Sequence, residues 1–190
     1  MAQLLVQAKA QSKVRNLEQA MLLFQKVLKL EPGHPEALHG LARVELKAGR
    51  LQDALARLEE LVASGHRTAF VLTDLGLMLQ MFGRMDEAEQ AYRDAAALGD
   101  HDGALMNLGV LQAQKGNFQE AERLFRMVLA KGHPAGDVWA NLGSVLAEQG
   151  HPEDARTAFM EALRRSPGIN SAVKGLQLLD AGTPPAVQSK

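Results

Sequence analysis

Five alanines, Ala20, Ala54, Ala88, Ala121 and Ala155, recur at intervals of 34, 34, 33 and 34 residues. Four glycines, Gly49, Gly83, Gly116 and Gly150, keep the same period, each five residues ahead of an alanine. Two columns in one register over most of a chain leave few choices of fold. Each unit is too small to bury an apolar face alone, so the units must stack in a row.

Each unit reads as two helices joined by a turn. The glycine closes the first helix, because a left-handed C-cap is free of steric cost only there. Acidic or amide pairs open the second helix (Asp86-Glu87, Gln119-Glu120, Glu153-Asp154), where negative charge complements the helix dipole. Leu72, Leu75, Gly76 and Leu79 fall on one helical face, as do Trp139, Leu142, Gly143 and Leu146. In the second helices Ala88, Tyr92 and Ala95 repeat as Ala121, Phe125 and Val128, then as Ala155, Phe159 and Ala162. Small residues such as Gly76 and Ala88 let helix axes approach, and the aromatic four residues beyond the alanine is expected to fill the wider gap. Aromatics are only 4% of the chain, and valine and isoleucine are scattered, which speaks against a sheet.

The string Trp139-Ala140-Asn141-Leu142-Gly143, followed by Gly150, Ala155, Phe159, Ala162 and Pro167, closely resembles the pattern of the tetratricopeptide repeat family. The resemblance implies an all-α fold, a right-handed superhelical α-solenoid of antiparallel helix pairs. It implies a single domain over 1–181, with repeats at about 1–34, 35–68, 69–101, 102–135 and 136–169. A capping helix is expected over about 169–181, and a disordered tail over 182–190. Several residues depart from the pattern. Gln7 and Arg15 stand where an apolar residue and the glycine are usual, Ala42 replaces a glycine, and Glu45 and Gln112 replace a large apolar residue. The third unit is one residue short at Gly99-Asp100-His101, which predicts a small change in stacking angle there.

Catalytic chemistry finds no footing. There is no cysteine, no HExxH pair, no phosphate-binding glycine loop and no GxSxG serine. The one dense polar group, Asp100-His101-Asp102, reads as a surface turn, so neither a metal nor a cofactor is expected. Lys plus Arg number 21 against 22 Asp plus Glu, giving a formal charge of −1, and no basic stripe is interleaved with aromatics. Nucleic acid is therefore not an expected partner. No apolar run is long enough to span a bilayer and no signal peptide is visible. A cytoplasmic location is expected, or a periplasmic one if the N-terminus was trimmed.

In the family that the chain resembles, the first helix of each unit lines the concave side, where peptides or partner helices bind. The core leaves Phe70, Thr73, Leu77 and Met81 on one stripe of the third unit, and Met106 and Val110 at matching places in the fourth. Ser144 takes that place in the fifth. Asp74, Asn107 and Asn141 form the neighbouring column; asparagines there bond a bound peptide's backbone in some relatives. Arg43 is the only cation among the positions that clamp a terminal carboxylate in others, and Asp74 would repel one. The resulting expectation is a non-enzymatic scaffold with a protein or peptide partner. Two alternatives stay open: an oligomerising assembly, secretion or pilus-biogenesis factor, and the regulatory part of a longer enzyme.

Overall fold

The computed structural model describes residues 1–99, 102–132 and 136–182. Among them are eleven α-helices and no strand. The chain divides into two compact units, Met1–Gly99 and Asp100–Lys190. The first holds α1 (Ala2–Lys13), α2 (Leu17–Leu30), α3 (Pro35–Lys47), α4 (Leu51–Ala63), α5 (Ala69–Met81) and α6 (Met85–Ala97). The second holds α7 (Asp102–Gln114), α8 (Phe118–Ala130), α9 (Gly136–Glu148), α10 (Pro152–Arg165) and α11 (Asn170–Asp180). Within each unit every helix packs on the next, and first helices of successive hairpins also meet, α1 on α3 and α7 on α9. The helix expected to cap the array is α11. The positions 100–101 of the shortened third repeat, His133 and the 183–190 part of the expected tail lie outside the described residues.

The hairpin turns share one hydrogen-bond scheme. Gly83 takes φ 75°, which lets its N–H donate to the Gln80 carbonyl at 3.0 Å and the Arg84 N–H donate to the Leu79 carbonyl at 2.9 Å. This pair of hydrogen bonds satisfies carbonyls that a helix end leaves unpaired. The same pairs close the turns at Gly49, Gly116 and Gly150. The first repeat makes its turn with Arg15 at φ 62°, the one non-glycine residue with positive φ among those described. The Asn16 N–H still donates to the Gln11 carbonyl at 3.0 Å, so the degenerate repeat keeps the turn despite its side chain.

The aromatic column lies directly on the first helices' glycines, rather than filling a gap beyond them. A Cβ on Gly76 would come within 2.6 Å of the Tyr92 ring, one on Gly109 within 2.7 Å of Phe125, and one on Gly143 within 2.8 Å of Phe159. Phe24 and Phe159 also press on a glycine of the following helix, Gly40 and Gly175 respectively. The departure at Ala42 now has a physical reason. The second repeat carries Leu58 in the aromatic column, and both Ala42 and Leu58 are buried. A methyl on one helix is matched by a smaller side chain on the other. Gly109→Ala should therefore destabilise the fold by about 1–3 kcal/mol through overpacking. Adding Phe125→Leu should restore part of that loss, so the double variant will be more stable in urea than the sum of the two singles requires.

The polar departures are also paired. Glu45 is buried and receives two bonds from Arg57 Nε, at 3.0 Å to Oε1 and 2.8 Å to Oε2. Gln112, in the same column, accepts a bond from Asn117 Nδ2 at 2.8 Å, while its own Nε2 is buried without a partner. Trp139, expected among the core residues of α9, is only half-buried. Arg165 stands 5.9 Å over its ring and its indole nitrogen has no hydrogen-bond partner.

Candidate functional site

In the first unit, α1, α3 and α5 form an open wall whose register is fixed by side-chain bonds between successive first helices. The Lys9 ammonium of α1 donates to Glu36 of α3. His39 Nε2 of α3 lies 2.7 Å from Asp74 Oδ2 of α5, and since a carboxylate only accepts, the ring nitrogen donates. Arg43 Nε approaches the same oxygen at 3.6 Å. The α5 stripe on this wall runs Phe70, Asp74, Leu77, Met81, spacings that keep one face of a helix over about 16 Å. Phe70 is 63% exposed, Met81 50%, and Leu77 is partly buried.

Two of the expected site residues need correcting. Thr73 and Ser144 are buried, and each hydroxyl donates to the carbonyl four residues back: Ala69 at 2.7 Å, Ala140 at 3.1 Å. A hydroxyl satisfied by its own helix can be buried at little cost, so neither offers a group to a partner. Asp74 takes the place on the stripe that Thr73 was expected to hold. The histidine partner of Asp74 was missed altogether, because His39 and Asp74 lie 35 residues apart and belong to different repeats.

The columns show how unusual α5 is. Where it has Phe70, the other repeats carry Ala2, Glu36, Gly103 and Asp137. Where it has Leu77, they carry Lys9, Arg43, Val110 and Ser144, and where it has Met81, they carry Lys13, Lys47, Gln114 and Glu148. Only the third repeat is large and apolar in all three columns. That comparison was available in the sequence.

In the second unit the matching wall, on α7 and α9, is more polar, with Val110 the large apolar residue in the same columns. Met106, Asn107, Val110 and Asn141 are all partly buried, and neither asparagine side chain has a hydrogen-bond partner within the described residues. A separate hollow of about 520 Å3 is lined by Arg126 and Leu129 of α8, Trp139, Leu142 and Leu146 of α9, and Asp154 and Ala158 of α10. Leu142 and Leu146 are buried core residues, as expected, and Trp139 is the half-buried member of its lining. No group of three or more His, Cys, Asp or Glu among the described residues could hold a metal, and no described helix is long and apolar enough to cross a membrane.

Stacked hairpins with a glycine-on-ring core and an open wall of first helices define a helical repeat protein of the α-solenoid class. Models described as tetratricopeptide repeat match residues 13–70, and 73–137 together with 106–168. The chain belongs to the tetratricopeptide repeat family, whose members serve in general as scaffolds for protein partners. It is 30% identical over 123 residues to human tetratricopeptide repeat protein 7B, covering 64% of this chain and 15% of that protein. It thus spans a small fraction of that relative's length. Among solved structures it resembles PilW, described as a widely conserved type IV pilus biogenesis factor, with a TM-score of 0.85 at 18% identity over 94% of this chain and 84% of that one. It also resembles YrrB, described as a tetratricopeptide repeat protein with an unusual peptide-binding site, with a TM-score of 0.72 at 24% identity over 90% and 89% of the two chains. At these identities the structural likenesses establish the fold.

Proposed function

We propose that this chain is a non-enzymatic adaptor that holds a polypeptide partner on the open wall of its first helices. The observation that carries this reading is the α5 stripe. Phe70 and Met81 stay more than half or half exposed, and neighbouring repeats place polar, charged or small residues in their columns. Large exposed apolar side chains set along one face of a helix offer a surface for another protein to cover. The side chain of Met81 is unbranched and adaptable, which suits a wall that conforms to what it holds. On the second unit, the unpartnered amides of Asn107 and Asn141 can both donate to and accept from a peptide backbone without reading its sequence.

The test is Leu77→Asp with Met81→Asp, assayed by affinity isolation and mass spectrometry from the native source. Partners recovered with the wild type should disappear, while helical circular dichroism and the unfolding midpoint stay close to wild type. Equal recovery by both proteins would remove α5 from the binding surface. The likeness to PilW also brings an assembly role into view, in which the repeats associate with one another. Light scattering across a concentration series separates the two readings, since a chain that stays monomeric cannot build an assembly from itself.

A further inference from the structure

We infer that the first unit's wall selects an acidic amphipathic segment, one whose apolar side chains seat on α5 and whose carboxylates meet α1 and α3. The inference rests on the proposed adaptor reading and adds the chemistry of the partner.

The argument is electrostatic and positional. The columns that carry Leu77 and Met81 on α5 carry Arg43 and Lys47 on α3, and Lys9 and Lys13 on α1. The last turns of the two preceding first helices are thus basic in the same register where α5 is apolar. Only two carboxylates of the open columns stand against these four cations, Glu36 and Asp74. Both are already engaged, Glu36 by Lys9 and Asp74 by His39. Arg43 remains 57% exposed and reaches Asp74 only at 3.6 Å. The bonds between successive first helices join residues 27 to 35 positions apart, and the same offset counted from Lys47 spans Asp74 to Phe82, the stretch that holds Leu77 and Met81.

A partner covering this wall therefore meets an apolar strip and a positive strip one helix spacing apart, about 8–10 Å. One amphipathic helix, or one extended segment of alternating character, presents two faces at that separation. Negative charge on the second face raises the association rate and fixes the register, while a basic segment faces like charge. An anionic lipid surface shares part of this chemistry. It fits less well, because the cations and the apolar side chains lie on different helices and two carboxylates stand among them.

The experiment uses the full chain and three fluorescein-labelled, C-terminally amidated helical peptides, so that all negative charge is on side chains. All three share one length. The first carries leucines at the 70, 74, 77, 81 spacing flanked by glutamates; the second has lysines for the glutamates; the third has serines for the leucines. By fluorescence anisotropy the first should bind about ten-fold more tightly than either of the others, and its binding should weaken as salt shortens the screening length. Arg43→Glu with Lys47→Glu should reverse the preference between the first two peptides, while Leu77→Asp should weaken both. Equal binding of the acidic and basic peptides, both lost with Leu77→Asp, overturns the charge selection and leaves the adaptor reading standing. Failure of all three peptides overturns the inference as well. The adaptor reading then falls too only if partner recovery is also indifferent to Leu77→Asp with Met81→Asp. Cosedimentation with phosphatidylserine vesicles in place of peptide binding, abolished by the charge reversal, would also overturn it.

Discussion

Replacing Arg57 by alanine is expected to destabilise the protein by about 3–5 kcal/mol, although the arginine itself is partly exposed. The loss falls on its partner. Glu45 has a side chain 3% exposed, and Arg57 supplies both of its recorded side-chain bonds. Burial already raises the Glu45 carboxyl above its ordinary range, with the Arg57 bond and charge pulling the other way. Without Arg57 the burial loses its main counterweight, with only the charges of Asp53 and Arg50 left acting in opposite senses, and the carboxyl moves further up. A carboxyl whose folded pKa is raised contributes stability below its unfolded pKa and loses it as pH rises through the folded value. The deficit of Arg57→Ala should therefore be largest near neutrality and shrink as the solution is acidified through the carboxylate range. Urea denaturation at a series of pH values reads this directly, and a deficit that grows in acid would contradict it. The remedy is written in the other repeats. The columns of Glu45 and Arg57 hold Leu79 and Ala91 in the third repeat, and Leu146 and Ala158 in the fifth. Glu45→Leu with Arg57→Ala copies that solution and should be at least as stable as wild type, since a buried ion pair replaced by fitting apolar groups is often neutral or better.

That pair also shows where the sequence was readable and where it was not. The repeat period, the glycine turns and the helix pairing could all be read, because each depends on residues within one unit. Glu45 and Gln112 stood out as departures, yet Arg57 twelve residues on went unremarked. The signal existed: its column is otherwise Leu23, Ala91, Leu124 and Ala158. Contacts between repeats were harder. Lys9 with Glu36, and His39 with Asp74, depend on how far one first helix slides along the next, and the period does not fix that offset. Of the candidate site, Phe70, Leu77 and Met81 could be picked out because large apolar side chains unused by the core are conspicuous. Thr73 and Ser144 could not be placed. A hydroxyl that bonds its own helix is compatible with either face.

Phe159→Ala should destabilise the second unit by about 3–5 kcal/mol, and its effect should reach beyond the site of substitution. The ring is fully buried between two glycines, Gly143 of the preceding helix and Gly175 of α11. The fully buried residues of α11 are Ala172 and Gly175, with Leu176, Leu178 and Leu179 partly buried, and the Phe159 ring lies directly against Gly175 at the centre of that seat. An ion pair of Arg156 with Asp180 at 2.7 Å, both partly exposed, adds to this packing, and such pairs contribute at most about 1 kcal/mol. Truncation at 159 thus removes core volume and releases the end of the array together. Amide hydrogen exchange should show α11 losing protection first and furthest, with α9 and α10 following and the first unit little changed, because coupling in a repeat protein runs through adjacent interfaces. Phe159→Leu should lose less stability and keep α11 protected, since Leu58 fills the same column in the second repeat. Uniform loss of protection across all eleven helices would mean that the chain unfolds as one block, and that the glycine-on-ring contacts do not act as separate joints.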